Sequence, residues 1–142
     1  MYAICALYKF TRLDDFEDIQ APLKSFLDSL SVKGTLLLAR EGINGTISGG
    51  KDSVEKVLDY LQTDDRFLEL EYKFSYSKKP PFKRLKVKLK KEIVTMGLSE
   101  IDPNHSVGTY IKPKDWNNLI NDPDVILIDT RNNYEYEIGS FK

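Results

Sequence analysis

Between Lys78 and Lys91 the chain reads Lys-Lys-Pro-Pro-Phe-Lys-Arg-Leu-Lys-Val-Lys-Leu-Lys-Lys, so eight of fourteen consecutive residues are basic and none is acidic. From Arg84 onward basic and apolar residues alternate. In a strand that period sends Arg84, Lys86, Lys88 and Lys90 to one face and Leu85, Val87 and Leu89 to the other. Cations at two-residue spacing repel one another and do not stabilise a sheet by themselves; the chemistry they suit is holding a polyanion. A solvated edge strand, guarded by lysines against edge pairing, has the same pattern. Two features favour the anionic partner: no Glu or Asp interleaves the run, and the Lys-Pro-Pro-Phe lead-in is stiff. The whole chain carries 21 basic and 22 acidic residues, so outside this run it is acidic. A local positive feature on an acidic protein is suited to steering nucleic acid. Lys83, Arg84, Lys86, Lys88 and Lys90 are therefore the candidate RNA contacts, with Arg40 and Asn44 added from a second stretch.

That second stretch is Ala39-Arg40-Glu41-Gly42-Ile43-Asn44-Gly45-Thr46. Asn-Gly tolerates the positive φ angles of a tight hairpin turn, and Gly42 permits another irregular position nearby. Such a hairpin would present Arg40, Glu41 and Asn44 at one edge beside backbone amides able to hold an anion. Plain turn chemistry accounts for the same residues. Cys5 and His105 are the only residues of their kinds. Cys5 lies in an apolar strand pattern and reads as a buried small hydrophobe, and His105 lies in the turn-rich Asp102-Pro103-Asn104-His105-Ser106. One cysteine allows neither an intrachain disulfide nor a zinc cage, so no metal site is expected.

The elements that must position these residues follow from periodicity. Residues 2–10 form a first strand that reads as buried on both faces; Ile19, Leu23, Phe26, Leu27 and Leu30 mark a helix beginning near Gln20, with Pro22 in its first turn. Residues 35–39 and the hairpin partner follow. A second helix has Asp52 as cap, Glu55 three residues on, and Val54, Val57, Leu58 and Leu61 as its apolar face. Phe67 to Tyr76 alternates as a half-buried strand whose rings Tyr72, Phe74 and Tyr76 read as core, since the RNP pattern needed for base stacking is absent. The expected fold is α+β: a ferredoxin-like βαββαβ sandwich with an extra basic strand, over residues 1–96. An acylphosphatase-type site on that fold would need anion-binding residues after the first strand, where Arg12 is the one candidate. Residues 97–109 read as a linker. From 110 to 142 a short helix around Trp116 and an apolar strand Val125–Ile128 ending in Asp129-Thr130-Arg131 suggest the incomplete start of an α/β domain. No run of about 18 apolar residues exists, so no membrane-spanning helix is expected.

Ile128-Asp129-Thr130-Arg131-Asn132 and Tyr134-Glu135-Tyr136-Glu137-Ile138-Gly139 resemble the opening of a rhodanese domain. Together with Ala39–Thr46 and Lys90-Lys91-Glu92-Ile93-Val94-Thr95-Met96-Gly97, the chain is similar to the N-terminal part of the rhodanese-containing tRNA uridine hydroxylases, the TrhO (YceA-like) family. The resemblance implies a cytoplasmic enzyme that hydroxylates the wobble uridine of certain tRNAs to 5-hydroxyuridine, with molecular oxygen as co-substrate and no cofactor identifiable from the residues. This part of the enzyme would bind tRNA. A rhodanese cysteine loop follows Asp-x-Arg well downstream and Cys5 does not occupy its place, so no catalytic residue is assigned and the 142 residues alone are expected to be inactive. A non-catalytic RNA-binding module and a sulfurtransferase of ordinary rhodanese type are the alternative readings.

Overall fold

The computed structural model describes residues 1–141, which form one compact unit from Met1 to Val107 and another from Gly108 onward. In the first unit, β1 (Tyr2–Phe10), α1 (Phe16–Ser29), β2 (Lys33–Ala39), β3 (Gly42–Gly49), α2 (Lys51–Gln62), β4 (Glu71–Ser77) and β5 (Leu85–Leu89) succeed one another. The sheet order is β4-β1-β3-β2-β5. All neighbours are antiparallel except β2 and β5, which run parallel. This is a ferredoxin-like α+β fold, with the basic segment added as a fifth strand beside β2.

The core explains the order. Ala3, Cys5 and Leu7 of β1, Leu36 and Leu38 of β2, Ile43 and Ile47 of β3 and Val87 of β5 are buried on one side of the sheet. Leu23 and Leu27 of α1 and Val54, Val57, Leu58 and Leu61 of α2 cover them. Truncating a fully buried leucine such as Leu36 to alanine removes about 2–5 kcal/mol in cores of this kind. Ala6 is exposed and Ile4 half-buried, so β1 is buried on one face, not two. The reason is that both helices lie on the same side. Cys5 is fully buried, and burial pushes its thiol up to about 11.

Three other boundaries differ from the sequence reading. Helix α1 begins at Phe16, four residues early, because half-buried Phe16 and Ile19 pack on the core and anchor its first turn. Pro22 thus lies inside the helix, on its exposed side, where the carbonyl it leaves unpaired meets water. Gly50, not Asp52, precedes α2; Asp52 sits in the first turn, where a carboxylate favours the positive end of the helix dipole. The strand expected from Phe67 begins at Glu71. Asp64 instead accepts the Arg66 amide and starts a 3-10 turn, Asp65–Phe67, which buries Phe67 and Leu70 at a spacing of three.

Arg66 fastens that turn to α1. Its guanidinium meets Asp15, which precedes α1, at 2.5 Å and Asp64 at 2.7 Å. Hydrogen bonds from Arg66 hold both carboxyls below the usual carboxylate range. Depressed carboxylates stabilise the fold above their unfolded values near pH 4, and that contribution is lost as pH falls through the lower folded values. Because these groups are a third to a half exposed, Arg66→Ala is expected to cost only about 1 kcal/mol near neutrality. Urea unfolding at pH 7 and pH 3 tests this: the difference between variant and wild type should shrink at pH 3.

In the second unit a 3-10 turn, Pro113–Asp115, leads into α3 (Trp116–Ile120), and α4 spans Asn133–Ile138. Asn132 and Glu135 form a reciprocal capping box at the start of α4, and Trp116 stacks on Phe141 at 5.4 Å. Val125–Ile128 is not a strand; Ile126 and Ile128 are exposed. A strand needs a ladder partner, and among the described residues none lies beside this run. Asp129 binds the Arg131 guanidinium at 2.7 Å and accepts from Ser140, while Arg131 donates to the Gly139 carbonyl. Arg131 holds the Asp129 carboxyl far below the usual range.

Candidate nucleic-acid interface

The ladder extends beyond β5 at both ends: Gly34 donates to the Arg84 carbonyl at 2.9 Å and Lys90 to the Leu38 carbonyl at 2.8 Å. Register pairs Leu36 with Val87, Thr35 with Lys86 and Leu37 with Lys88. Since paired residues share a face, Val87 turns toward the helices and Lys86 and Lys88 toward the open side. Leu85 is half-buried and Val87 buried, whereas Lys83, Arg84, Lys86, Lys88 and Lys90 are all exposed. The alternation read in the sequence is present, fading at Leu89, which is 40% exposed. Among the described residues, no carboxylate lies within 4 Å of any of these five cations.

Topology adds what periodicity could not. β4 and β5 occupy opposite edges of the sheet, so Lys78–Arg84 carries Lys78, Lys79 and Lys83 from one edge to the other. On the open face, register aligns Lys73, Ala6, Thr46, Thr35 and Lys86 in one row across all five strands. A second row is Glu71, Tyr8, Asn44, Leu37 and Lys88. The Tyr8 hydroxyl donates to the Glu71 carboxylate. Lys73 also belongs to this face, although its sequence neighbours have the pattern of an ordinary mixed strand.

Asn44 and Arg40 are not presented together. The hairpin turn is Arg40–Glu41, followed by Gly42 at φ 144; Asn44 and Gly45 are strand residues within β3. Gly45 is required by close approach instead of by a turn: a Cβ there would lie 2.1 Å from the Thr35 carbonyl oxygen. Asn44 therefore lies half-buried on the open face, and Arg40 is exposed at the end of the sheet. Tyr72, Phe74 and Tyr76 pair with Leu7, Cys5 and Ala3 and so share the helix side. Phe74 packs on the core, but Tyr72 and Tyr76 remain about half exposed beyond the helices.

At the sheet end where β1, β2 and β5 finish, a cleft of about 540 Å³ is lined by Arg12, Arg40, Lys91, Glu41, Glu92 and Asp102, among others. Asp14 gathers the two arginines, accepting from Arg12 Nε at 3.0 Å and lying 3.6 Å from Arg40 Nε. Each lining carboxylate is engaged by backbone: Glu41 accepts from Ile93, Glu92 from Met96 and Gly97, and Asp102 from Asn104. Asn104 also donates to the Glu41 carbonyl at 3.4 Å. Residues 97–107, linker-like in composition, are thereby fastened to the first unit. Exposed His105 donates its amide to Asp102 within that turn. Among the described residues, no group of three or more His, Cys, Asp or Glu could hold a metal ion, and no helix is long and apolar enough to cross a membrane.

Solved structures share this fold at low identity. Klebsiella pneumoniae BlrP1 in its pH 8.0 calcium/cy-diGMP complex is 18% identical with a TM-score of 0.55, covering 87% of this chain and 32% of that one. A bacterial light-regulated adenylyl cyclase is 18% identical with a TM-score of 0.53, covering 68% and 30%. Full-length HypF in its phosphate- and nucleotide-bound form is 12% identical with a TM-score of 0.51, covering 66% and 13%. The chain thus spans less than a third of each of these proteins, and the likeness extends to the fold alone. With its sheet, both covering helices and the basic strand inside residues 2–93, which match the UPF0176 acylphosphatase like domain, the chain belongs to the UPF0176 family.

Proposed function

We propose that this chain is the tRNA-holding N-terminal part of an enzyme that hydroxylates the wobble uridine to 5-hydroxyuridine with molecular oxygen in the cytoplasm. The observation that carries the reading is the acid-free run Lys78–Lys91, in which Lys86 and Lys88 project from the parallel strand β5, Lys83, Arg84 and Lys90 flank it, and no carboxylate of the described residues lies within 4 Å of these five cations. The phosphodiester backbone is the partner that such a row fits: each neutralised phosphate releases counterions, so affinity falls with salt. Membership of the UPF0176 family supports the assignment, as does the similarity to the rhodanese-containing hydroxylases. Arg40 and Asn44 contribute from the sheet end and the open face respectively. The oxidation chemistry is assigned to no residue of this chain.

The test is a titration of labelled tRNA at two salt concentrations. Changing Arg84, Lys86 and Lys88 together to alanine is expected to weaken binding on the order of 100-fold and to lower the log–log salt slope by about 2.7, three phosphate contacts' worth. Unchanged affinity and slope would remove nucleic acid from the function. For the reaction, deleting the gene is expected to remove 5-hydroxyuridine from tRNA digests analysed by mass spectrometry; its persistence would refute the assignment.

A further inference from the structure

The row Lys73, Ala6, Thr46, Thr35 and Lys86 has a lysine at each end and nothing larger than threonine between them. Four strand-to-strand steps of about 4.8 Å separate the end residues, so the backbones that carry the two lysines stand roughly 19 Å apart. That separation is comparable to the width of a nucleic-acid double helix. The middle of the row is low: Ala6 and Gly45 floor a depression whose sides include Tyr8, Asn44 and Lys73. Lys88 continues the β5 border, and Lys78 and Lys79 follow β4 in the chain. Tyr72 and Tyr76, which could have stacked bases, belong to the other side of the sheet.

We infer that the open face seats a double-stranded, A-form RNA stem, with one phosphate strand over Lys86 and Lys88 on β5 and the other over Lys73 on β4. This rests on the RNA reading above and gives it a substrate class. A single strand needs one cationic track and aromatic platforms for its bases. A duplex is recognised by shape, through phosphates on both borders of its wide, shallow minor groove and through 2′-hydroxyls. The face offers Lys86 and Lys88 on one border and Lys73, beside Glu71, on the other, with the depression and the polar groups of Thr35, Thr46 and Asn44 between them. Tyr8, on one side of the trough, donates its hydroxyl to the Glu71 carboxylate of β4.

The experiment compares a 20-base-pair RNA duplex with one of its strands by fluorescence anisotropy, using the full chain. The duplex is expected to bind at least tenfold tighter. Lys73→Ala, on the border that the sequence run does not reach, should weaken duplex binding about three- to tenfold and lower its salt slope by about 0.9, with little effect on the single strand. Ala6→Tyr fills the trough without changing charge at an exposed strand position that favours aromatic residues. It should weaken the duplex at least tenfold and leave the single strand unchanged or tighter. Equal or tighter binding of the single strand, or duplex binding indifferent to Ala6→Tyr, would overturn the inference. If the Arg84/Lys86/Lys88 alanine variant still loses affinity in that event, RNA binding stands and only the duplex assignment falls. If that variant binds as wild type, both fall.

Discussion

Gly45→Ala is expected to lower stability by about 3 kcal/mol or more, the range of severe overpacking in a rigid interior. The added Cβ would lie 2.1 Å from the Thr35 carbonyl oxygen, 2.8 Å from Leu36 Cα and 2.9 Å from Leu36 Cδ2. Two of these are backbone atoms of β2, and β2 is held on its other side by β5. Relief would require opening the β2–β3 ladder or displacing the basic strand. Urea unfolding provides the measure, with Gly108→Ala as control, because a Cβ at Gly108 meets nothing within 4 Å. A Gly45→Ala protein with the wild-type midpoint would contradict the observed register of β3.

Val87→Asp is expected to destabilise the first unit by about 3 kcal/mol and to reduce RNA affinity far more than one added negative charge can account for. Val87 is 6% exposed and pairs with Leu36, and its carbonyl accepts from Gln20 Nε2 of α1 at 2.7 Å. A carboxylate among Leu36 and the apolar side chains of α1 is costly to bury, so it is accommodated by freeing β5 or by unfolding. Lys86 and Lys88 would keep their charges and lose their alignment. The comparison is with Lys88→Asp, an exposed change on the same strand that makes an even larger change in charge. Circular dichroism distinguishes detachment of one strand from global unfolding. If Lys88→Asp reduces RNA affinity as much as Val87→Asp does, charge alone governs binding and strand geometry contributes nothing.

The elements legible in the sequence were those whose pattern reports a single local cause. β5 alternated because one face meets α1 and the other water, and Val54, Val57, Leu58 and Leu61 recurred at helical spacing because α2 has one buried side. Errors arose where distant contacts decide. Asn44-Gly45 has the composition of a turn, but its glycine serves close packing against Thr35. Phe67, Leu68 and Leu70 look like the start of a strand, yet Arg66 and Asp64 wind them into a turn that Arg66 ties to Asp15, just before α1. Val125–Ile128 is apolar enough for a buried strand and lacks a described partner. Of the site, the cations of the run were visible because they are contiguous. Lys73 was not, because only the β4-β1-β3-β2-β5 order brings it opposite Lys86.

Ser77 and Leu85 are separated in the chain by only seven residues, although their strands lie at opposite borders of the sheet. Covering even the roughly 19 Å between those borders takes most of the about 27 Å that eight virtual bonds can reach when taut. The covalent chain therefore sets an upper limit on how far the two borders can separate. Whatever the open face meets, the seven residues between Ser77 and Leu85 cap the spread of its two borders at the reach of that connection.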